Sequence, residues 1–349
     1  MKENFIKKIF NIEREEYKPF FLFLIFSFFK GLTIAVLEIA IDSLFVINSN
    51  PNSLPYLYIF IAIFTMIAGL IYSFFESRVR PKNLLVFTQI FLFISLIALF
   101  ILLLFSKILK INEIVIQILM IWKAIIAILS GIVFWSTASL LFNIRQSKRL
   151  FGLLSSGEIL AFIIAGATIP LIIKIIGGTN NLLIISIIGL FISFLMLSTI
   201  KKIYPNKFDI KSENIDIIEK KKENKKPTLF FLKSKYIILF FIVSIISEVS
   251  LLVIRYLSIY AVYSNFPQNI FLHLNGEDKI SAFFGIYVAL IGFANFIMTT
   301  FFSGKFISKL GIGFGLLMLP IANFVLTNGT ISLNLLIGSS IIIFWSIIA

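Results

Sequence analysis

Long uninterrupted apolar stretches separated by short polar joins dominate the chain. They fall near 20–46, 57–76, 84–106, 114–142, 152–174, 181–200, 236–263, 281–302, 313–328 and 331–349. Most approach or exceed the ~20 residues a helix needs to cross the ~30 Å hydrocarbon core of a bilayer. The runs are continuous and do not alternate with period two, so the strands of an outer-membrane barrel do not fit. Pro51, Pro55, Pro81, Gly177, Gly178, Pro267 and Gly311 punctuate the joins. The pattern predicts an all-α integral membrane bundle of about ten helices.

Composition points the same way. The chain is 59% hydrophobic and 14% charged, with a mean hydropathy of +1.03, against about 45–50% and about 25% for a soluble domain. Domains in water bury only about 60–75% of their surface, so lipid must solvate most of this protein. There is no cysteine and only one histidine, His273. Disulfides, thiolate sites and histidine-based metal clusters are thereby excluded, and no cofactor or metal is expected. No pair of catalytic carboxylates and no histidine motif lies at a membrane face, so the chain does not read as an enzyme.

The polar segments set the organisation. Residues 1–19 mix charge with Phe5, Ile9 and Ile12 on one helical face, which predicts a short helix on the inner leaflet; a solvated tail is the alternative. A lysine-rich stretch, 201–235, separates a six-helix half (20–200) from an incomplete second half of about four helices (236–349). Lys and Arg concentrate in alternate joins: Lys2 to Lys18, then Arg78, Arg80 and Lys82, then Arg145, Lys148 and Arg149, then the linker, then Lys305 and Lys309. The positive-inside rule therefore places the N-terminus in the cytoplasm. The net charge of +14 reads as a basic face beside anionic lipid rather than a nucleic-acid surface.

The two halves echo one another. Phe134-Trp135-Ser136 recurs 210 positions later as Phe344-Trp345-Ser346, and Glu38 and Glu248 share that offset. Together with the basic joins after the second and eighth runs, this suggests a parallel repeat of six helices. That is the layout of the major facilitator superfamily, with a site between the halves. In this register Ala349 falls where Ser139 falls in the first half, so about ten of twelve helices are present and the chain is expected to be a fragment of a longer protein.

Three stretches carry a more specific resemblance. One is Ile12-Glu13-Arg14-Glu15-Glu16 running into the first helix, which closes with Ala40-Ile41-Asp42-Ser43-Leu44-Phe45-Val46. The second is Phe134-Trp135-Ser136 followed by Asn143-Ile144-Arg145-Gln146-Ser147-Lys148-Arg149-Leu150-Phe151-Gly152. The third is Ala282-Phe283-Phe284-Gly285-Ile286-Tyr287, continuing to Phe306-Ile307-Ser308-Lys309-Leu310-Gly311 and Leu319-Pro320. These resemble the bacterial relatives of the ATP/ADP-translocase-type nucleotide transporters, a major-facilitator-like family, over nearly the whole chain. The resemblance implies twelve helices in the bacterial inner membrane, nucleotide exchange in characterised relatives, and soluble domains, some binding cyclic nucleotides, in others. The chain departs from the family at Arg255-Tyr256, where relatives tend to carry an acidic residue before the tyrosine.

Ionisable groups within a membrane cost about 2.5–3.5 kcal/mol each on insertion scales, so each needs a reason. Lys30, Glu38 and Asp42 lie in the first run, Lys123 in the fourth, Glu158 in the fifth, and Glu248 and Arg255 in the seventh. One reading is a polar cavity between the halves in which Lys30, Lys123 and Arg255 meet a small anionic substrate, with nucleotides as the case the resemblance implies. Glu38, Glu158 and Glu248 would pair with these cations when the site is empty, or carry a coupling proton, and Tyr256 and Tyr260 would stack on a base or close the cavity. The other reading is snorkelling lysines and structural ion pairs. Glu76 and Arg78, with a basic loop of Arg145, Lys148 and Arg149, form a candidate cytoplasmic gate. Gly157, Ala161 and Ala165, and Gly285, Ala289 and Gly292, form small-residue stripes that predict close packing of the fifth and eighth helices. Gly152-x-x-x-x-Gly157 is followed by Glu158 rather than lysine, so it is no phosphate-binding loop. The chain thus reads as an alternating-access secondary transporter. A non-transporting membrane sensor or anchor that carries a C-terminal regulatory domain is the alternative.

Overall fold

The computed structural model describes residues 13–106, 108–208, 235–265, 274 and 276–297. Eight long helices are described: α1 (Tyr17–Asn48), α2 (Leu54–Glu76), α3 (Pro81–Ser106), α4 (Asn112–Leu141), α5 (Ile144–Ile176), α6 (Leu182–Ile203), α7 (Lys235–Asn265) and α8 (Gly276–Ile297). No strand occurs among the described residues. All eight helices are long and apolar enough to span a bilayer, and the protein is an integral membrane helical bundle. The expected runs 313–328 and 331–349, most of the linker and the first twelve residues lie outside the described residues.

Local chemistry explains the joins. Asn50 accepts from the Asn52 N–H ahead of a short 3-10 turn at Pro51–Ser53, and Pro55 stands in the first turn of α2. Proline fits there because the first helical N–H groups have no intrahelical acceptor. Pro81 opens α3 for the same reason. Gly177 closes α5 at φ 87°, and Gly178 follows at φ 109°; both are backbone conformations that favour glycine.

Seven of the eight described helices begin earlier than the hydrophobic pattern predicts, most by one to five residues and α5 by eight. α1 starts at Tyr17, inside the expected polar segment 1–19. α5 starts at Ile144 rather than 152, because Asn143 and Gln146 form a reciprocal capping box at its N-terminus. Arg145, Lys148 and Arg149 therefore lie in the opening turns of α5 and not in a loop. Their charge depresses hydropathy without opposing helix formation.

α1 is the axial helix. Its buried residues run from Phe20 to Val46 on every face, and it packs against α4, α5, α6 and α8. α2, by contrast, exposes Ile59, Phe60, Ile63, Met66, Leu70 and Phe74, the composition of a surface solvated by lipid.

Glycine sets how closely α1 meets its neighbours. A Cβ on Gly31 would lie 2.7 Å from the Glu158 Cα, and one on Gly157 would lie 2.7 Å from the Leu24 carbonyl oxygen. The backbones of α1 and α5 therefore touch at one crossing, where the adjacent α5 residues Gly157 and Glu158 meet α1 between Leu24 and Gly31. On α6, Gly189 makes the equivalent approach to Thr33.

Candidate functional site

The intramembrane charges collect into two clusters. In the first, Asp42 of α1 accepts from Arg255 Nη2 of α7 at 2.7 Å and from Lys123 Nζ of α4. The Arg255 Nη2 also lies 2.7 Å from Glu38 Oε1. Glu38 and Asp42 are one helical turn apart, so both carboxylates face the same guanidinium. The cluster balances two positive against two negative charges, as desolvated charges require. The Asp42 side chain is 6% exposed, whereas those of Glu38 and Arg255 are 29% and 35% exposed. Arg255 thus has one deeply held partner and one that borders open space.

That space is a cavity of about 280 Å³ lined by residues of α1, α2, α4 and α7, among them Glu38, Tyr58, Thr65, Lys123, Leu252 and Arg255. Its remaining wall is aliphatic, with Ile34, Leu37, Ile61, Met120 and Ile128. The cavity has a charged part and an apolar part. Going from Arg255 to Leu252 and from Glu38 to Ile34 moves along both helices toward the N-terminal end of α1. Going from Tyr58 to Thr65 on α2, which runs antiparallel to α1, moves the same way. The Tyr58 hydroxyl is buried and has no hydrogen-bond partner. Tyr58 lines the cavity together with Glu38, Lys123 and Arg255.

The second cluster lies lower on α1. Lys30 Nζ is 2.7 Å from Glu158 Oε2 of α5 and 4.6 Å from the centre of the Phe134 ring. The Gly31 contact brings Glu158 there by letting the α5 backbone reach α1. Lys30 and Glu38 are eight residues apart, about 12 Å along the helix, and neither Lys30 nor Glu158 lines the cavity.

The structure therefore brings Glu38, Asp42, Lys123 and Arg255 together and places Lys30 and Glu158 apart from them. Glu248 is exposed on α7, outside both clusters. Tyr256 and Tyr260 pair with ring centres 6.0 Å apart, and Tyr256 packs against the main core. Among the gate candidates, Arg78 lies over the Phe74 ring at 3.9 Å, Glu76 and Arg145 are exposed, and the side chains of Lys148 and Arg149 lie outside those described. No group of three or more His, Asp or Glu side chains suited to a metal occurs among the described residues.

The small residues divide between two neighbours. α5 does pack along α8, but Gly157 faces α1. The closest approach to α8 is at Gly166, where a Cβ would meet the Gly285 carbonyl oxygen at 2.3 Å and the Ala289 nitrogen at 2.6 Å. Gly292 sits against Ile163. At the end of this seam, Asp278 in the first turn of α8 accepts from the Thr179 N–H and hydroxyl, both at 3.0 Å. The Thr179 hydroxyl also lies 2.8 Å from that of Ser281.

Sequence reasoning missed Tyr58, Gly166, Thr179 and Asp278. Tyrosine near a helix end reads as an interfacial anchor, and an acidic residue in a first helical turn reads as a favourable partner of the helix dipole. Neither signal names a partner.

The family model described as TLC ATP/ADP transporter matches residues 115–348, about two thirds of the chain. The matched region holds Lys123, Glu158 and Arg255, while Glu38, Asp42 and Tyr58 precede it. No curated protein and no solved structure matches the chain.

Proposed function

The chain belongs to the TLC ATP/ADP transporter family, a family of nucleotide transporters, and we propose that it carries an organic anion of the nucleotide class by alternating access, with no bond chemistry. The observation that carries this reading is Arg255 shared between Glu38 and Asp42 at the wall of the cavity. A guanidinium recognises phosphate and carboxylate with the same donor geometry. An entering phosphate group can therefore take the place of Glu38, the more exposed carboxylate, while Asp42 keeps Lys123 and Arg255 in position. The aliphatic part of the cavity would take the body of the substrate.

Exchange of partners at Arg255 also acts on the fold. The Arg255 pairs tie α7 to α1, so a substrate that occupies Arg255 loosens that tie and frees the two groups of helices to rock. The α5–α8 contact at Gly166 and Gly285 would be the surface along which they slide, in a major-facilitator-like arrangement. We place the protein in a bacterial inner membrane with its N-terminus in the cytoplasm, on the strength of its Lys and Arg distribution.

Uptake of labelled ADP, ATP and a panel of organic anions by bacterial cells expressing the chain tests the reading. Uptake of at least one nucleotide, lost in Arg255→Met and Lys123→Met, is expected. A protein shown to be inserted and folded that takes up none of them overturns it.

A further inference from the structure

A buried hydroxyl with no partner is unfavourable, because the group has left water and gained nothing in exchange. The Tyr58 hydroxyl is in that state. Tyr58 lines the same cavity as the guanidinium that the preceding reading assigns to substrate. Pro51 and Pro55 shape the entry to α2 and Leu54 and Leu57 are buried in the core around it, so the position of the ring is set by packing rather than by its hydroxyl. The ring itself packs against the main core.

We propose that Tyr58 is a substrate-positioning and specificity residue whose hydroxyl donates to the anionic group bound at Arg255. The donor is held ready in the empty protein and satisfied only when an anion with a spare acceptor oxygen enters. A phosphate group provides several such oxygens, so it can accept from Arg255 and Tyr58 together. The charged group of the substrate then lies at the Tyr58–Arg255 part of the cavity, and its body extends past Ile61 toward Thr65 and Ile128. Polyphosphates and phosphomonoesters gain from this second donor more than a monocarboxylate does, which sets the direction of selectivity.

This inference rests on the anion-carrier reading, and one experiment separates the two. The full 349-residue chain is purified in lipid nanodiscs as wild type, Tyr58→Phe and Arg255→Met. Thermal unfolding is measured without ligand and across a titration with ADP, with acetate as the monocarboxylate control. A hydroxyl without a partner predicts that Tyr58→Phe melts at or above the wild-type temperature in the empty protein. The same variant should bind ADP roughly 10- to 100-fold more weakly, the loss expected for one hydrogen bond to a charged group, with its weak response to acetate unchanged. A merely structural tyrosine would lower the melting temperature and leave ADP affinity in place, which overturns the proposal. Equal ADP affinity in wild type and Tyr58→Phe also overturns it. No binding of ADP or ATP by the wild type would instead count against the anion-carrier reading on which it depends.

Discussion

Arg255 Nη2 of α7 lies 2.7 Å from Asp42 Oδ2 of α1, and the other Asp42 oxygen is held by Lys123 of α4. One carboxylate thus neutralises two cations from two other helices, in a place where its own side chain is only 6% exposed. Asp42→Asn leaves those cations facing each other with little water to screen them. The expected cost is about 3–5 kcal/mol, the range for breaking a buried pair by removing one partner. Removing a cation as well, in Asp42→Asn with Lys123→Met, should recover part of that loss. Glu38→Gln should cost under ~1 kcal/mol, since Glu38 is partly exposed and Arg255 keeps its other partner. Thermal unfolding in detergent checks all three; equal melting of Asp42→Asn and Glu38→Gln would rule out the three-helix junction.

Lys30 and Glu158 answer a different question. They join α1 to α5 beneath the cavity and do not line it, which assigns them to holding the bundle rather than the substrate. Lys30→Met alone strands a carboxylate and should destabilise. Lys30→Met with Glu158→Met should restore much of the loss, because two apolar side chains of similar length replace a desolvated pair. The double variant should also bind ADP with wild-type affinity. A tenfold loss of affinity in a stable double variant would return Lys30 to the substrate site.

How much of this was legible in the sequence differs by level. The eight described helices were, because a bilayer demands ~20 apolar residues per crossing; the largest error is at the start of α5, since charges at Arg145, Lys148 and Arg149 mask a capping box already visible as Asn143-x-x-Gln146. The set of intramembrane charges was legible too, because lipid makes each of them costly. Their pairing was not. Which acid meets which cation depends on how each helix is rotated and how closely it approaches its neighbour. Lys30 finds Glu158, 128 positions away, because Gly31 admits the α5 backbone. The stripe Gly157, Ala161, Ala165 signalled close packing of α5, yet Gly157 serves α1. The tightest contact with α8 falls at Gly166, just off that stripe.

The Asp278 contact with Thr179 joins the α5–α6 turn to the start of α8 at one end of the bundle. Thr179 is only 1% exposed despite its place in a turn, so its N–H depends on Asp278 for a partner. Asp278→Ala should leave that N–H unsatisfied and open this end of the seam. A cysteine introduced at Ser281, fully buried in the protein, should then react with a membrane-impermeant maleimide at least several-fold faster in Asp278→Ala than in an otherwise wild-type chain. Unchanged reactivity would mean that the contact does not hold this end closed.

Gly166 and Gly69 make a matched test of the α5–α8 seam. Both lie within transmembrane helices, so alanine in place of glycine gains about 0.5–1 kcal/mol of helix stability wherever there is room. At Gly69 of α2 there is room, since nothing lies within 4 Å of an added Cβ; Gly69→Ala should be neutral or raise the melting temperature. At Gly166 the added carbon would lie 2.3 Å from one backbone atom of α8 and 2.6 Å from another. Backbone cannot rotate away as a side chain can, so α5 and α8 must separate, at a cost of about 1–3 kcal/mol for overpacking. Gly166→Ala should therefore melt well below Gly69→Ala. If this contact is also the sliding surface of transport, Gly166→Ala should slow ADP uptake by more than it weakens ADP binding. Loss of stability without that kinetic effect would leave the contact as packing alone.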